Sequence, residues 1–375
     1  MTLFIGLMSG TSMDGVDGVL ADLDDMGVDK KAPRVIAHHH APFAQDLQRK
    51  LLRLNSRGDD ELHHAELATN ALVRVYAQVV GELLVASGLR ASQVCAVGAH
   101  GQTVRHRPQE FDATGYTLQL MNGSLLAELS GIDVICDFRS RDVAAGGQGA
   151  PLVPALHAAL FAEPGEDIAV LNLGGIGNLT LLPTQGVVLG FDCGPGNALL
   201  DAWCLRHLGT AYDDAGRWGA SGQVDQALLQ RLLAEPFLAR LPPKSTGRDL
   251  FNMAWLEAVL SQDSAIPPAA DVQATLTEFS ARAAAEALKR HAPRTSKLLV
   301  CGGGAFNAHL MRRLCALLPG TSVQSTATLG MPPQQVEALA FAWLAQAFVL
   351  RQPGNMASVT GAGGPRVLGA LYPAG

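Results

Sequence analysis

Ile5-Gly6-Leu7-Met8-Ser9-Gly10-Thr11-Ser12-Met13-Asp14-Gly15-Val16-Asp17-Gly18 opens the chain with an apolar run, a polar glycine-rich turn and a second alternating run. Asn172-Leu173-Gly174-Gly175-Ile176-Gly177-Asn178 repeats that plan in the second half with different letters. Apolar runs on both sides of such a turn predict a strand–turn–strand unit. The first pair of strands is read at 2–8 and 16–23, the second at 168–173 and 178–182. A third strand follows each pair, at 34–40 and 187–191, the latter ending at Asp192. The repeat is one of organisation, not of letters. It predicts an α/β protein of two domains with similar cores and a cleft between them. The Gly- and Pro-rich stretch 146–154 marks the crossing. The N-terminal domain is therefore read as 1–140 and the second as 141–351, with the tail 352–375 packing back on the first.

Helices fill the spaces between. Residues 59–86 carry Leu62, Leu67, Leu72, Tyr76, Val79 and Leu83 at helical spacing, and Gly88 closes the run. Further helices are read at 198–208, 274–291, 308–318 and 335–350. The last is so apolar that it is either core or the interface of a homodimer. Residues 209–248 are polar and read as short helices and loops.

A chain of 375 residues suits two domains at about 100–200 residues each. With 48% hydrophobic and 17% charged residues it can bury a core and is not disordered. Net charge is -6, and Lys and Arg are scattered, which argues against a nucleic-acid partner. The six cysteines form no CxxC pair and read as reduced thiols of a cytoplasmic protein. No signal-peptide pattern opens the chain, and no run reaches the ~20 apolar residues of a membrane span.

Four motifs carry chemistry. The first turn offers glycine backbone and the hydroxyls of Ser9, Thr11 and Ser12; consecutive N–H groups there can cradle phosphate, and Asp14 and Asp17 can hold Mg²⁺. The second turn mirrors it. In Gly190-Phe191-Asp192-Cys193-Gly194-Pro195-Gly196-Asn197, a carboxylate at a strand end can take a proton from a nucleophile, or merely cap the turn. In Cys301-Gly302-Gly303-Gly304-Ala305-Phe306-Asn307, glycines between a strand and a helix let a base or ribose lie on backbone. Each has a plain alternative as an ordinary tight turn. Arg139 and Arg141 either bind an anion bidentately or form surface ion pairs. His38-His39-His40 are consecutive, so on a strand they face alternate sides and chelate poorly. A P-loop and a protein-kinase signature are both absent.

The order of these motifs resembles the superfamily of acetate kinases, sugar kinases, heat-shock chaperones and actin. The letters of 5–20, 98–108, 137–154, 172–180, 191–203, 245–252 and 301–307 resemble, more narrowly, the anhydro-N-acetylmuramic acid kinase family, over nearly the whole chain. The resemblance implies two actin-like, ribonuclease H-like domains, each a mixed sheet flanked by helices. It implies an ATP- and Mg²⁺-dependent enzyme that opens the 1,6-anhydro bridge of the small-molecule substrate 1,6-anhydro-N-acetylmuramic acid and phosphorylates O6, in cell-wall recycling. Asp192 then matches the general base, and Glu337 an acid near the catalytic centre. Gly10, Thr11, Ser12, Met13, Asp14, Gly15, Val16 and Asp17 match the ATP phosphate loop. Gly174, Gly175, Gly177 and Asn178, with Gly302, Gly303, Gly304 and Asn307, complete the nucleotide set. Ser9, His100, Gly101, Gln102, Thr103, Arg139 and Arg141 are assigned to the sugar. One letter departs: Cys193 stands where the family usually has Thr.

Three other readings compete. An ordinary sugar or carboxylate kinase would phosphorylate a free hydroxyl with no bond cleaved. An ATP-switched chaperone or filament protein would not need Asp192. A sugar-responsive repressor would need a helix-turn-helix, and none is read here.

Overall fold

The computed structural model describes residues 2–10, 13–24, 33–247, 250–262 and 266–375. The chain divides into two compact units, Met1–Leu160 with Gln334–Gly375, and Phe161–Pro333.

The first unit is built on a six-stranded sheet. Its strands are β1 (Leu3–Met8), β2 (Gly15–Asp22), β3 (Arg34–Pro42), β4 (Val94–Ala99), β7 (Val134–Cys136) and β13 (Ala370–Tyr372). They lie in the order β13-β7-β4-β1-β2-β3. β1 and β2 form an antiparallel hairpin, β2 pairs β3 antiparallel, and β4 and β7 continue parallel to β1. A separate hairpin joins β5 (Gln102–Pro108) and β6 (Gly115–Leu120).

The second unit repeats the plan with β8 (Ile168–Leu173), β9 (Ile176–Leu182), β10 (Leu189–Pro195), β11 (Lys297–Cys301) and β12 (Ser322–Ser325). Their order is β10-β9-β8-β11-β12. The hairpin, the antiparallel third strand and the two parallel strands all recur. Both sheets thus place their strands third, second, first, fourth, fifth. The α/β class with a mixed, helix-flanked sheet in each half stands as the sequence predicts.

Central strands are buried on both faces, so they read as continuous apolar runs. In β8 every residue is buried. Helix Glu61–Ser87 covers one face of the first sheet with Leu72, Tyr76, Val79 and Leu83, and Gly88 ends it at φ 69°. Helix Val336–Val349 covers β1 and β4 with nine buried residues. Gly6 and Gly98 face each other across β1 and β4, and a Cβ on either would collide with the Ala338 or Phe341 carbonyl oxygen.

This packing corrects the domain boundaries. Residues 141–160 and 334–351 belong to the first unit, not the second. The terminal helix is core of that unit because the glycines of β1 and β4 receive its backbone. In the second unit, helix Ala269–His291 lays Ala281, Ala284, Ala285 and Leu288 on the sheet. A helical cluster around Trp203, Phe237, Phe251 and Phe279 builds a second core beside it.

Candidate functional site

In the first unit, the Ser9–Gly10 segment leaving β1 is held by the corner between β4 and β5. The His100 N–H donates to the Leu7 carbonyl at 3.0 Å. Ser9 Oγ donates to the Gly101 carbonyl at 3.1 Å and shares a hydrogen bond with the buried Tyr76 phenol at 2.8 Å. Gln102 Nε2 donates to the Gly10 carbonyl at 3.1 Å, while Gln102 Oε1 is buried without a partner. His100 Nδ1 lies 3.1 Å from the Ser9 carbonyl, which can only accept, so Nδ1 carries the proton. Nε2 then accepts from Arg139 Nε and Nη2 at 3.1 and 2.9 Å. Burial and the Arg139 charge hold the imidazole pKa well below its usual value. Ser9 and His100, assigned to the sugar by resemblance, are 1% and 5% exposed and hold the turn.

The Met13 N–H closes the turn onto the Gly10 carbonyl at 3.2 Å. Met13, at φ 54°, and Val16 send their side chains into the core. Thr11 and Ser12 lie outside the described residues. Asp14 is exposed. Asp17 Oδ1 meets His38 Nε2 at 3.3 Å and His40 Nδ1 at 3.1 Å. Burial opposes ionisation of Asp17, but the bonds to the two imidazoles outweigh it and its pKa falls. His38 and His40 therefore share one face, as alternate strand residues do. Thr103 Oγ1 accepts from Gln119 across the β5–β6 hairpin, and Arg141 is exposed on helix Ser140–Ala144. Glu337 is half-buried in the first turn of the terminal helix, next to the Ala338 that meets Gly6.

In the second unit, Asp192, Asn178 and Asn172 are cross-strand partners in one row of the sheet. β10 slips register between Asp192 and Gly194, a bulge of the kind that re-aims side chains beside functional sites. β10 thus runs through Asp192 to Pro195 instead of stopping at it. Asp192 is clamped by a later segment: its N–H donates to the Lys244 carbonyl at 3.1 Å, and the Thr246 N–H donates to its Oδ2 at 2.8 Å. Lys244 Nζ donates to the Phe237 and Leu238 carbonyls at 3.2 and 3.1 Å and sits over the Phe237 ring. Sequence reasoning assigned no role to Lys244 or Thr246. Thr246 lies in the block 245–252, and Lys244 directly precedes it.

The three glycine motifs of this unit meet. The Asn197 and Ala198 N–H groups donate to the Gly174 and Gly175 carbonyls at 2.8 and 3.0 Å, and Asn197 Nδ2 donates to the Leu173 carbonyl at 2.9 Å. Gly302 takes φ 78°, and a Cβ there would collide with Asn172 Oδ1, an oxygen buried without a partner. Asn307 is the N-cap of helix Ala308–Leu317, its Oδ1 accepting the Leu310 N–H at 3.0 Å.

One observation bears on the fit to a nucleotide. The unpartnered Asn172 Oδ1 beside Gly302 suits a polar ligand. Among the described residues no three His, Cys, Asp or Glu side chains gather to hold a metal.

Among the described residues no helix is long and apolar enough to cross a membrane. A family model for anhydro-N-acetylmuramic acid kinase matches residues 2–374. Proteins of that name are similar throughout. The one from Variovorax paradoxus (strain S110) is 60% identical, covering 99% of each chain. That from Cupriavidus metallidurans is 56% identical, covering 99% of this chain and 97% of its own. That from Chromobacterium violaceum is 53% identical, covering 99% of each.

Proposed function

The chain belongs to the anhydro-N-acetylmuramic acid kinase family, and we propose that it opens the 1,6-anhydro bridge of 1,6-anhydro-N-acetylmuramic acid while transferring the ATP γ-phosphoryl to O6. The observation that carries the reading is Asp192, set at a bulge and clamped by the Thr246 N–H among three glycine turns. An acetal is inert to neutral water, so attack at the anomeric carbon needs a carboxylate base. Asp192 takes one proton from water as its oxygen bonds to C1. The C1–O6 bond breaks, and O6 takes the γ-phosphoryl as the bond to the ADP oxygen breaks. The products are N-acetylmuramic acid 6-phosphate and ADP.

Backbone N–H groups of the Gly10–Asp17 and Gly174–Asn178 turns are assigned to the phosphates, and the Gly302–Gly304 turn to the nucleoside. Asp14 and Asp17, the carboxylates of the first turn, are assigned to Mg²⁺, which would neutralise charge on the phosphates. Glu337 is assigned to the catalytic centre, and Gln102, Thr103 and Arg141 to the sugar. The protein is assigned to the cytoplasm. A reading as an ordinary kinase of a free hydroxyl is not favoured, because the family match spans the whole chain.

The test is Asp192→Asn. We expect kcat to fall by about 10²–10⁴-fold with nucleotide affinity kept. Retention of turnover above a tenth of wild type would remove Asp192 as the base.

A further inference from the structure

We propose that Arg139 is a positioning residue that acts through His100, holding the imidazole as its neutral Nδ1–H tautomer and thereby setting the first glycine turn. The inference rests on reading that turn as phosphate-binding. Arg139 gives two donors, Nε and Nη2, to the single lone pair of His100 Nε2. An acceptor there is unprotonated, so the remaining ring proton sits on Nδ1 and is given to the Ser9 carbonyl. Phe341 packs its ring 4.8 Å from the imidazole and helps fix its plane.

Arg139 is anchored in turn. Its Nη1 donates to the Gly149 carbonyl at 2.8 Å, and the Gly149 N–H donates to Asp142 Oδ2 at 2.8 Å. Asp142 is 0% exposed, and its Oδ1 accepts from Asn355 Nδ2 at 2.6 Å and Thr360 Oγ1 at 2.8 Å. A continuous hydrogen-bonded path thus runs from the C-terminal tail to Ser9. Three of the guanidinium donors are spent on it.

The groups around the imidazole come from every neighbouring element. Arg139 is beside Nε2, Tyr76 lies behind Ser9, and Cys136 ends β7. His106 is within the field of Arg139. Asp142 lies beyond Gly149. Glu337 is one helical turn before Phe341 on the terminal helix. Burial and the guanidinium both disfavour a charged His100. Both effects hold the ring in its neutral form, with Nε2 free to accept from Arg139.

Two variants and one spectrum test this. Arg139→Met removes the donors and the charge, whereas Arg139→Gln restores one neutral N–H. In the Met variant we expect kcat about 10–100-fold lower, and His100, relieved of the guanidinium charge but still buried, to take up a proton at higher pH than in wild type. The KM for the anhydro-sugar should move less than about threefold. The Gln variant should recover most of kcat and a flat pH profile. Imidazole nitrogen NMR of the wild-type protein should show His100 as the Nδ1–H tautomer with no titration. A wild-type His100 that titrates normally overturns the proposal, and needs no variant to fold. So does a sugar KM raised about tenfold or more in both variants with flat pH profiles, the signature of a carboxylate clamp. A Met variant in which His100 titrates while kcat and the KM for ATP stay at wild-type values overturns the phosphate-binding reading of the turn, and with it the functional half of the proposal.

Discussion

Cys193 stands between the proposed base and the Gly-Pro-Gly turn, and its side chain explains how a thiol serves there. Sγ donates to the Gly177 carbonyl at 3.2 Å, tying the β10 bulge to the second glycine hairpin. Burial, with the Asp192 charge beside it, pushes the thiol up to about 12, so it remains a protonated donor. A threonine hydroxyl can make the same bond. Cys193→Thr is expected to keep kcat within about threefold, and Cys193→Ala to lower it about 2–12-fold, the worth of one net hydrogen bond; steady-state kinetics on both variants checks this.

The Asp17–His40 pair gives a pH signature. The bond to Asp17 raises the His40 pKa against burial, and Asp17 is lowered. A raised histidine stabilises below its unfolded pKa, about 6.5, and loses that contribution as pH rises through its folded value. A lowered carboxylate stabilises above about 3.9 and loses that as pH falls. The Tm difference between wild type and Asp17→Asn should therefore peak between about pH 4 and 6.5 and shrink above it. A difference that grows from pH 6 to 8 would exclude the pair. The sequence showed these residues but not their meeting: His38 and His40 are alternate, so one strand face presents both, and only the cross-strand register brings Asp17 opposite His40.

At the scale of elements, the glycines of β1 and β4 decide where the terminal helix goes. Gly98→Ala would drive a methyl into the Phe341 carbonyl, which is backbone and cannot rotate away. We expect a loss of at least about 1–3 kcal/mol, read by denaturant unfolding; a stability change within about 0.5 kcal/mol would contradict the packing. The helix was legible from its apolar run, but its partner was not, because the close approach joins distant segments. The β5–β6 hairpin was missed for a local reason. Its tip places Gln109, Phe111 and Ala113 at positive φ, so no Asn-Gly or Asp-Gly signal marks it. The register shift between Thr103 and Arg105 also breaks the alternation that would betray β5. Likewise, β13 has only three residues, too few for periodicity to show.

At the scale of the whole molecule, the strand–turn–strand repeat was legible because both opening hairpins carry apolar runs around glycines. The five strands of the second sheet follow the order of the first, which carries β13 as a sixth at its edge. Of the site, the glycine turns and Asp192 were legible as motifs. The inward commitment of Ser9, His100 and Arg139 was not, since hydrogen-bond direction is a property of the folded backbone. The central claim is that one active site adds water and a phosphoryl group to the same sugar. Mass analysis of the product from 1,6-anhydro-N-acetylmuramic acid and Mg-ATP tests it most directly. One ADP per sugar and a product heavier by HPO₃ and H₂O together are expected. A product heavier by HPO₃ alone, or turnover only with a reducing sugar, would contradict it.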